Sequence, residues 1–75
     1  MHRMITGAQV KAGRKLLGWS RDDLAGYSGL RPITIDVFER GMRPSDSPVM
    51  AIRSALDAAG VEFSEGDQVR MRRPK

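Results

Sequence analysis

The stretch 21–41, RDDLAGYSGLRPITIDVFERG, constrains this chain more than any other. It reads as a short helix, a tight turn and a second helix. Leu24 and Ala25 are the apolar positions of the first helix, Leu30 follows the turn, and Ile35 and Phe38 are the apolar positions of the second. Gly29 stands where the chain must reverse within about three or four residues, and glycine takes the positive φ that such a turn requires. Ala25 is small, which lets the second helix cross close to the first. Small residue, glycine and apolar spacing together match a helix-turn-helix. An ordinary αα-hairpin shares the periodicity and is the alternative.

The flanking sequence supplies the rest of a small helical domain. Thr6 opens a helix over about 6–17, with Gln9 as its capping-box partner and Ile5 and Val10 as a hydrophobic staple. Val10, Gly13, Arg14 and Leu17 share one face. Arg14 is the charged member of that apolar stripe, a costly position without a partner. Gly18 fits the C′ position, and Trp19 fills the link as a lid over the core. Ser20 caps the second helix, 21–28, with Asp23 closing the box and Asp22 and Asp23 at its positive end. Arg21 points away from Leu24 and Ala25.

The third helix, about 32–40, takes Pro32 in its first turn and stops at Gly41. With Ile35 and Phe38 inward, the helical wheel turns Ile33, Asp36, Val37 and Arg40 outward. Glu39 falls at the edge of the buried face and is the natural partner for Arg14, tying the first helix to the third; the alternative leaves both in solvent. Ser47 is expected to cap a fourth helix over about 48–59, with Pro48 at its first position, Val49, Ile52, Leu56 and Ala59 inward and Gly60 as its stop.

The period then changes to two. Val61, Phe63, Val69 and Met71 alternate with Glu62, Arg70 and Arg72 around a turn at SEGD. This predicts a hairpin over 61–72 that pairs Phe63 with Val69 and Val61 with Met71, and sets Glu62 opposite Arg70. A lone hairpin is marginal, so it must pack on the helices or on a second subunit. The expected fold is mostly α: a single domain over 1–75 with four helices and a short C-terminal β-hairpin.

Composition narrows the chemistry. The 75 residues contain no cysteine, which leaves no disulfide or thiolate metal site, and the one histidine, His2, lies in an expected N-terminal tail. The carboxylates are accounted for by caps, ion pairs and solvent, and no phosphate loop or metal-ligand spacing is present. Neither enzymatic activity nor a metal or cofactor is therefore expected. No segment approaches a membrane span and no apolar leader region is visible, which points to a cytoplasmic protein. The net charge of +4 and pI near 10.4 favour a polyanionic partner. The terminal RMRRPK reads equally well as a solvated tail.

At ITGAQVKAGRKLLGWS, DLAGYSGL, TIDVFERG and AIRSALDAAGVEF the chain resembles the small bacterial Cro/C1-type (Xre, phage-repressor-like) helix-turn-helix regulators. The likeness runs over about 4–73, and VRMRR resembles a subgroup that ends in a hairpin rather than a fifth helix. It implies a lambda-repressor-like domain that binds double-stranded operator DNA as a homodimer and regulates transcription, with helix 32–40 in the major groove. Carried over by position, Ser20 and Arg21 touch phosphate, Arg31, Pro32, Ile33, Thr34 and Val37 lie at or near base edges, and Arg40 and Arg43 reach the backbone. Arg14 and Glu39 match an arginine and glutamate that many members pair between the first and third helices. The dimer surface is expected at the hairpin edge or on the outer side of the fourth helix.

The third helix departs from the family pattern. Members often have Ser or Thr at its cap and polar residues on its reading face; here the cap is Arg31 and the face offers Pro32, Ile33, Asp36 and Val37. Bidentate Arg, Asn and Gln contacts carry much of base readout, and the centre of this face supplies none. Ile33 and Val37 offer contacts to thymine methyl groups, and Asp36 repels phosphate or accepts from cytosine. The same Ile33/Val37 pair supports a second expectation: a protein-binding module, antiactivator or antitoxin-like, that uses the 32–40 face for a protein partner.

Overall fold

A computed structural model describes residues 5–63 and 68–72. The chain forms α1 (Gly7–Leu17), α2 (Arg21–Ser28), α3 (Pro32–Glu39) and α4 (Asp46–Ala58), followed by β1 (Val61–Phe63) and β2 (Val69–Met71). It is thus mostly helical and ends in a two-stranded antiparallel hairpin. The readings of His2, of the SEGD turn and of residues 73–75 lie outside the described residues.

Local sequence sets the helix starts. Thr6 accepts from the Gln9 N–H at 3.1 Å while the Gln9 side chain accepts from the Thr6 N–H at 3.0 Å. Ser20 and Asp23 repeat the arrangement at 3.0 and 2.9 Å. Each box satisfies two N–H groups that a helix start otherwise leaves unpaired. Gly29 takes φ +72° and turns the chain from α2 towards α3. Gly41, at φ +104°, ends α3 in a Schellman arrangement: its N–H donates to the Phe38 carbonyl and the Met42 N–H to the Val37 carbonyl, both at 3.0 Å.

The start of α4 differs from the sequence expectation. Ser45, not Ser47, is the N-cap, its side chain makes no capping bond, and Pro48 occupies the third helical position. Proline is tolerated there because the first four N–H groups of a helix have no intrahelical acceptor. Starting at Asp46 places a carboxylate at the positive helix end.

The core is one cluster. Val10 of α1, Leu24 and Ala25 of α2, Ile35 and Phe38 of α3, Val49, Ile52 and Leu56 of α4 and Val61 of β1 are all buried, with Ile5 beside them. Leu17, Trp19 and Leu30 pack against it part-buried. Helix α2 packs on α3 and α4, and α1 touches α3, α4 and both strands. The hairpin register is Val61 with Met71, Glu62 with Arg70 and Phe63 with Val69. Its apolar side lies on α1 and α4, so the marginal hairpin is held by helices of its own chain. Arg53 of α4 stands 5.3 Å above the Phe63 ring.

Candidate nucleic-acid interface

The elements α2 and α3 present one surface, and its charges form a chain of alternating sign. Arg14 of α1 donates from Nε to Glu39 Oε2 at 2.8 Å and from Nη2 to Oε1 at 3.0 Å. Its Nη1 donates to the Trp19 carbonyl at 3.0 Å. Arg21 of α2 reaches the same carboxylate, Nε to Glu39 Oε1 at 3.3 Å, and lies 3.7 Å from Asp36 Oδ1. Arg40 closes on Asp36 at 3.2 Å, one turn along α3. The order Arg14–Glu39–Arg21–Asp36–Arg40 links α1, α2 and α3.

Burial grades this network. The Glu39 side chain is 2 % exposed and that of Arg14 10 %, whereas Arg21 and Arg40 are 44 % and 75 % exposed. The inner pair is therefore desolvated, with every guanidinium nitrogen of Arg14 hydrogen-bonded, while the outer arginines stay in reach of solvent. The hydrogen bond to Glu39 raises the Arg14 guanidinium above its ordinary value, burial opposes this, and the charge of Glu39 adds to it.

Arg31 is an exposed N-cap whose side chain bonds to nothing among the described residues; Pro32 follows at the first helical position. Ile33 is 58 % exposed, and Thr34 and Val37 are half-buried. Arg43 in the loop after α3 lies 3.5 Å from Asp46 and stays 46 % exposed. Ser20 uses its oxygen as an acceptor within its own cap, so its hydroxyl hydrogen remains available to donate. Arg40 and Arg43 border a groove of about 440 Å³ beside Thr6 and Gly7 at the start of α1.

Two further residues have partners within the protein. Arg21, read as a phosphate contact, is held between Glu39 and Asp36. Asp36, read as repelling phosphate or accepting from cytosine, lies between Arg21 and Arg40 with its side chain 24 % exposed. Arg21 meets Asp36 and Glu39, fifteen and eighteen residues away in sequence, because α2 and α3 cross closely, whereas Asp36 meets Arg40 one turn further along the same helix.

Sequence reasoning missed two exposed residues. Met42 is 67 % exposed and is drawn back to Val37 by its backbone hydrogen bond. The signal was present, since an apolar residue after a C′ glycine commonly packs on the last helical turn. Tyr27 is 67 % exposed, yet its ring stacks on Trp19 with centroids 4.3 Å apart and planes 17° from parallel. Among the described residues no helix is long and apolar enough to cross a membrane, and no group of His, Cys, Asp or Glu is placed to hold a metal ion.

No protein-family model and no curated protein matches this chain.

Proposed function

We propose that this chain is a sequence-specific DNA-binding transcriptional regulator of the Cro/C1 type, without enzymatic activity, that binds operator DNA as a homodimer in the cytoplasm. The observation that carries this reading is the pairing of an exposed, arginine-rimmed α3 with a buried Arg14–Glu39 tie that fixes α3 against α1. A helix that enters a groove must be rigidly seated, and the tie seats it on the side away from the exposed face. Arg31 stands at the leading end of α3, and Arg40 and Arg43 at its trailing end. Cations at both ends of a groove-sized helix suit phosphates on either side of a major groove. Arg21 and Ser20 lie at the start of α2, where the positive helix end adds to their attraction for phosphate. One short helix makes few base contacts, and a homodimer on two half-sites one helical turn apart doubles them.

The exposed apolar residues of α3 favour a second reading, a protein partner on the same face. Fluorescence anisotropy with the chain's own upstream DNA, a scrambled competitor and two salt concentrations separates the two. A regulator prefers the upstream duplex by orders of magnitude and loses affinity steeply with salt. Equal, weak binding to both duplexes refutes the regulator reading.

A further inference from the structure

We propose that α3 reads its operator through thymine methyl groups, using an apolar stripe of Ile33, Val37 and Met42; the proposal rests on the DNA-binding reading above. Ile33 and Val37 are one helical turn apart on the outward face, and Ile33 is 58 % exposed. The Met42 N–H donates to the Val37 carbonyl at 3.0 Å, which folds the chain back after Gly41 and brings the backbone of Met42, a residue 67 % exposed, to the end of α3 beyond Val37.

The carboxylate that flanks the stripe is already engaged. Asp36 lies 3.2 Å from Arg40 and 3.7 Å from Arg21, so its carboxylate is committed to the protein's own cations. At Ile33 and Val37 what the face presents to a base edge is hydrocarbon, with the half-buried Thr34 beside them. In the major groove thymine alone offers a methyl group.

Charge decides the occupant. The stripe is bordered by Arg31 ahead of α3 and by Arg40 and Arg43 behind it. A duplex supplies methyl groups on the groove floor and phosphates on both walls, which matches an apolar centre with a cationic rim. The helical rise separates Ile33 and Val37 by about 6 Å along the axis. That spans roughly two base steps of about 3.4 Å. The half-site should therefore carry two thymines one or two steps apart.

The test is selection from a random duplex pool by the full chain, followed by replacement of each selected thymine with deoxyuridine. This exchange removes the 5-methyl group and leaves every hydrogen-bonding atom in place. Two positions per half-site should each lose about four-fold in affinity, the worth of one buried methyl group. Ile33→Ala and Val37→Ala should each erase the thymine-to-uracil difference at one of them. Arg43→Ala should weaken binding to both duplexes and leave their ratio unchanged. All three positions lie outside the buried core, and thermal melts of each variant confirm folding. A selected site insensitive to uracil everywhere overturns methyl readout and leaves DNA binding standing. A pool with no enrichment overturns both. In that outcome, a protein complex lost in Val37→Glu and kept in Arg43→Ala would assign the stripe to a protein partner.

Discussion

Gly7 is seated directly against Phe38: a Cβ built on Gly7 would overlap the Phe38 carbonyl oxygen and lie 3.0 Å from the carbonyl carbon. The obstacle is backbone, which cannot swing aside as a side chain can. The start of α1 and the end of α3 therefore approach as closely as they do because position 7 has no side chain. This contact also forms one wall of the groove bordered by Arg40 and Arg43.

Gly7→Ala is expected to destabilise the domain by about 1–3 kcal/mol, the range for overpacking, despite alanine's better helix propensity. Gly26 is the control. It lies inside α2, with nothing within 4 Å of a built Cβ. Gly26→Ala should stabilise by about 0.5–1 kcal/mol. Urea denaturation followed by the fluorescence of Trp19, the chain's one tryptophan, measures both. Equal shifts of the same sign would refute the close-approach account.

Glu39→Ala is expected to be the more damaging change. It leaves Arg14 buried with the Trp19 carbonyl as its remaining hydrogen-bond partner. Breaking a buried pair in this way costs about 3–5 kcal/mol. A domain of this size has a total stability of about 4–11 kcal/mol, so the variant should be largely unfolded on mild heating. Replacing both partners with methionine should cost less than Glu39→Ala alone, because no charge is then left buried. Circular-dichroism melts of the variants decide the point.

The same pair sets a pH expectation. The folded state raises the Arg14 guanidinium above its ordinary value. Its stabilisation is then fully present below the unfolded value and is lost only as pH rises through the still higher folded one. Both limits are strongly alkaline, so Arg14 should produce no step in melting temperature between about pH 6 and 9. A step in that window that disappears in the Arg14→Met, Glu39→Met variant would contradict this assignment.

Arg43→Ala and Val37→Glu probe the proposed interface from its two sides. Among the described residues the Arg43 side chain pairs only with exposed Asp46, so its loss should leave stability within about 0.5 kcal/mol of the original. On DNA it should reduce the slope of log affinity against log salt by about one. In the proposed complex Val37→Glu would turn a carboxylate towards phosphate and base edges, and it should abolish duplex binding at every salt concentration tested. Titrations over a salt series distinguish these outcomes.

Tyr27→Ala removes the ring stacked on Trp19. Stacked pairs contribute about 0.5–1.5 kcal/mol beyond their buried area, and a loss of that size is expected. Trp19 becomes more exposed in the variant, so its emission maximum should move to longer wavelength in the folded state. An unchanged spectrum would mean that the stack does not shield the indole.

Some of this architecture is decided within a few residues and is therefore legible in the sequence. The Thr6–Gln9 and Ser20–Asp23 boxes each close over three positions. The hairpin register follows from a period of two, which fixes the inward side, together with the short spacing between the two runs, which fixes the pairing. Arg14 opposite Glu39 is also legible, because an arginine on an apolar stripe needs an anion and α3 offers one at the edge of its buried face. The start of α4 is not: Ser45 and Ser47 are equivalent local signals, and Pro48 fits the first and third helical positions alike. The overlap that excludes a side chain at Gly7, the ring of Tyr27 on Trp19, and Arg21 held by Asp36 and Glu39 depend on how elements cross. Periodicity says which side of a helix is buried; only the packed fold says which residue of another element waits there.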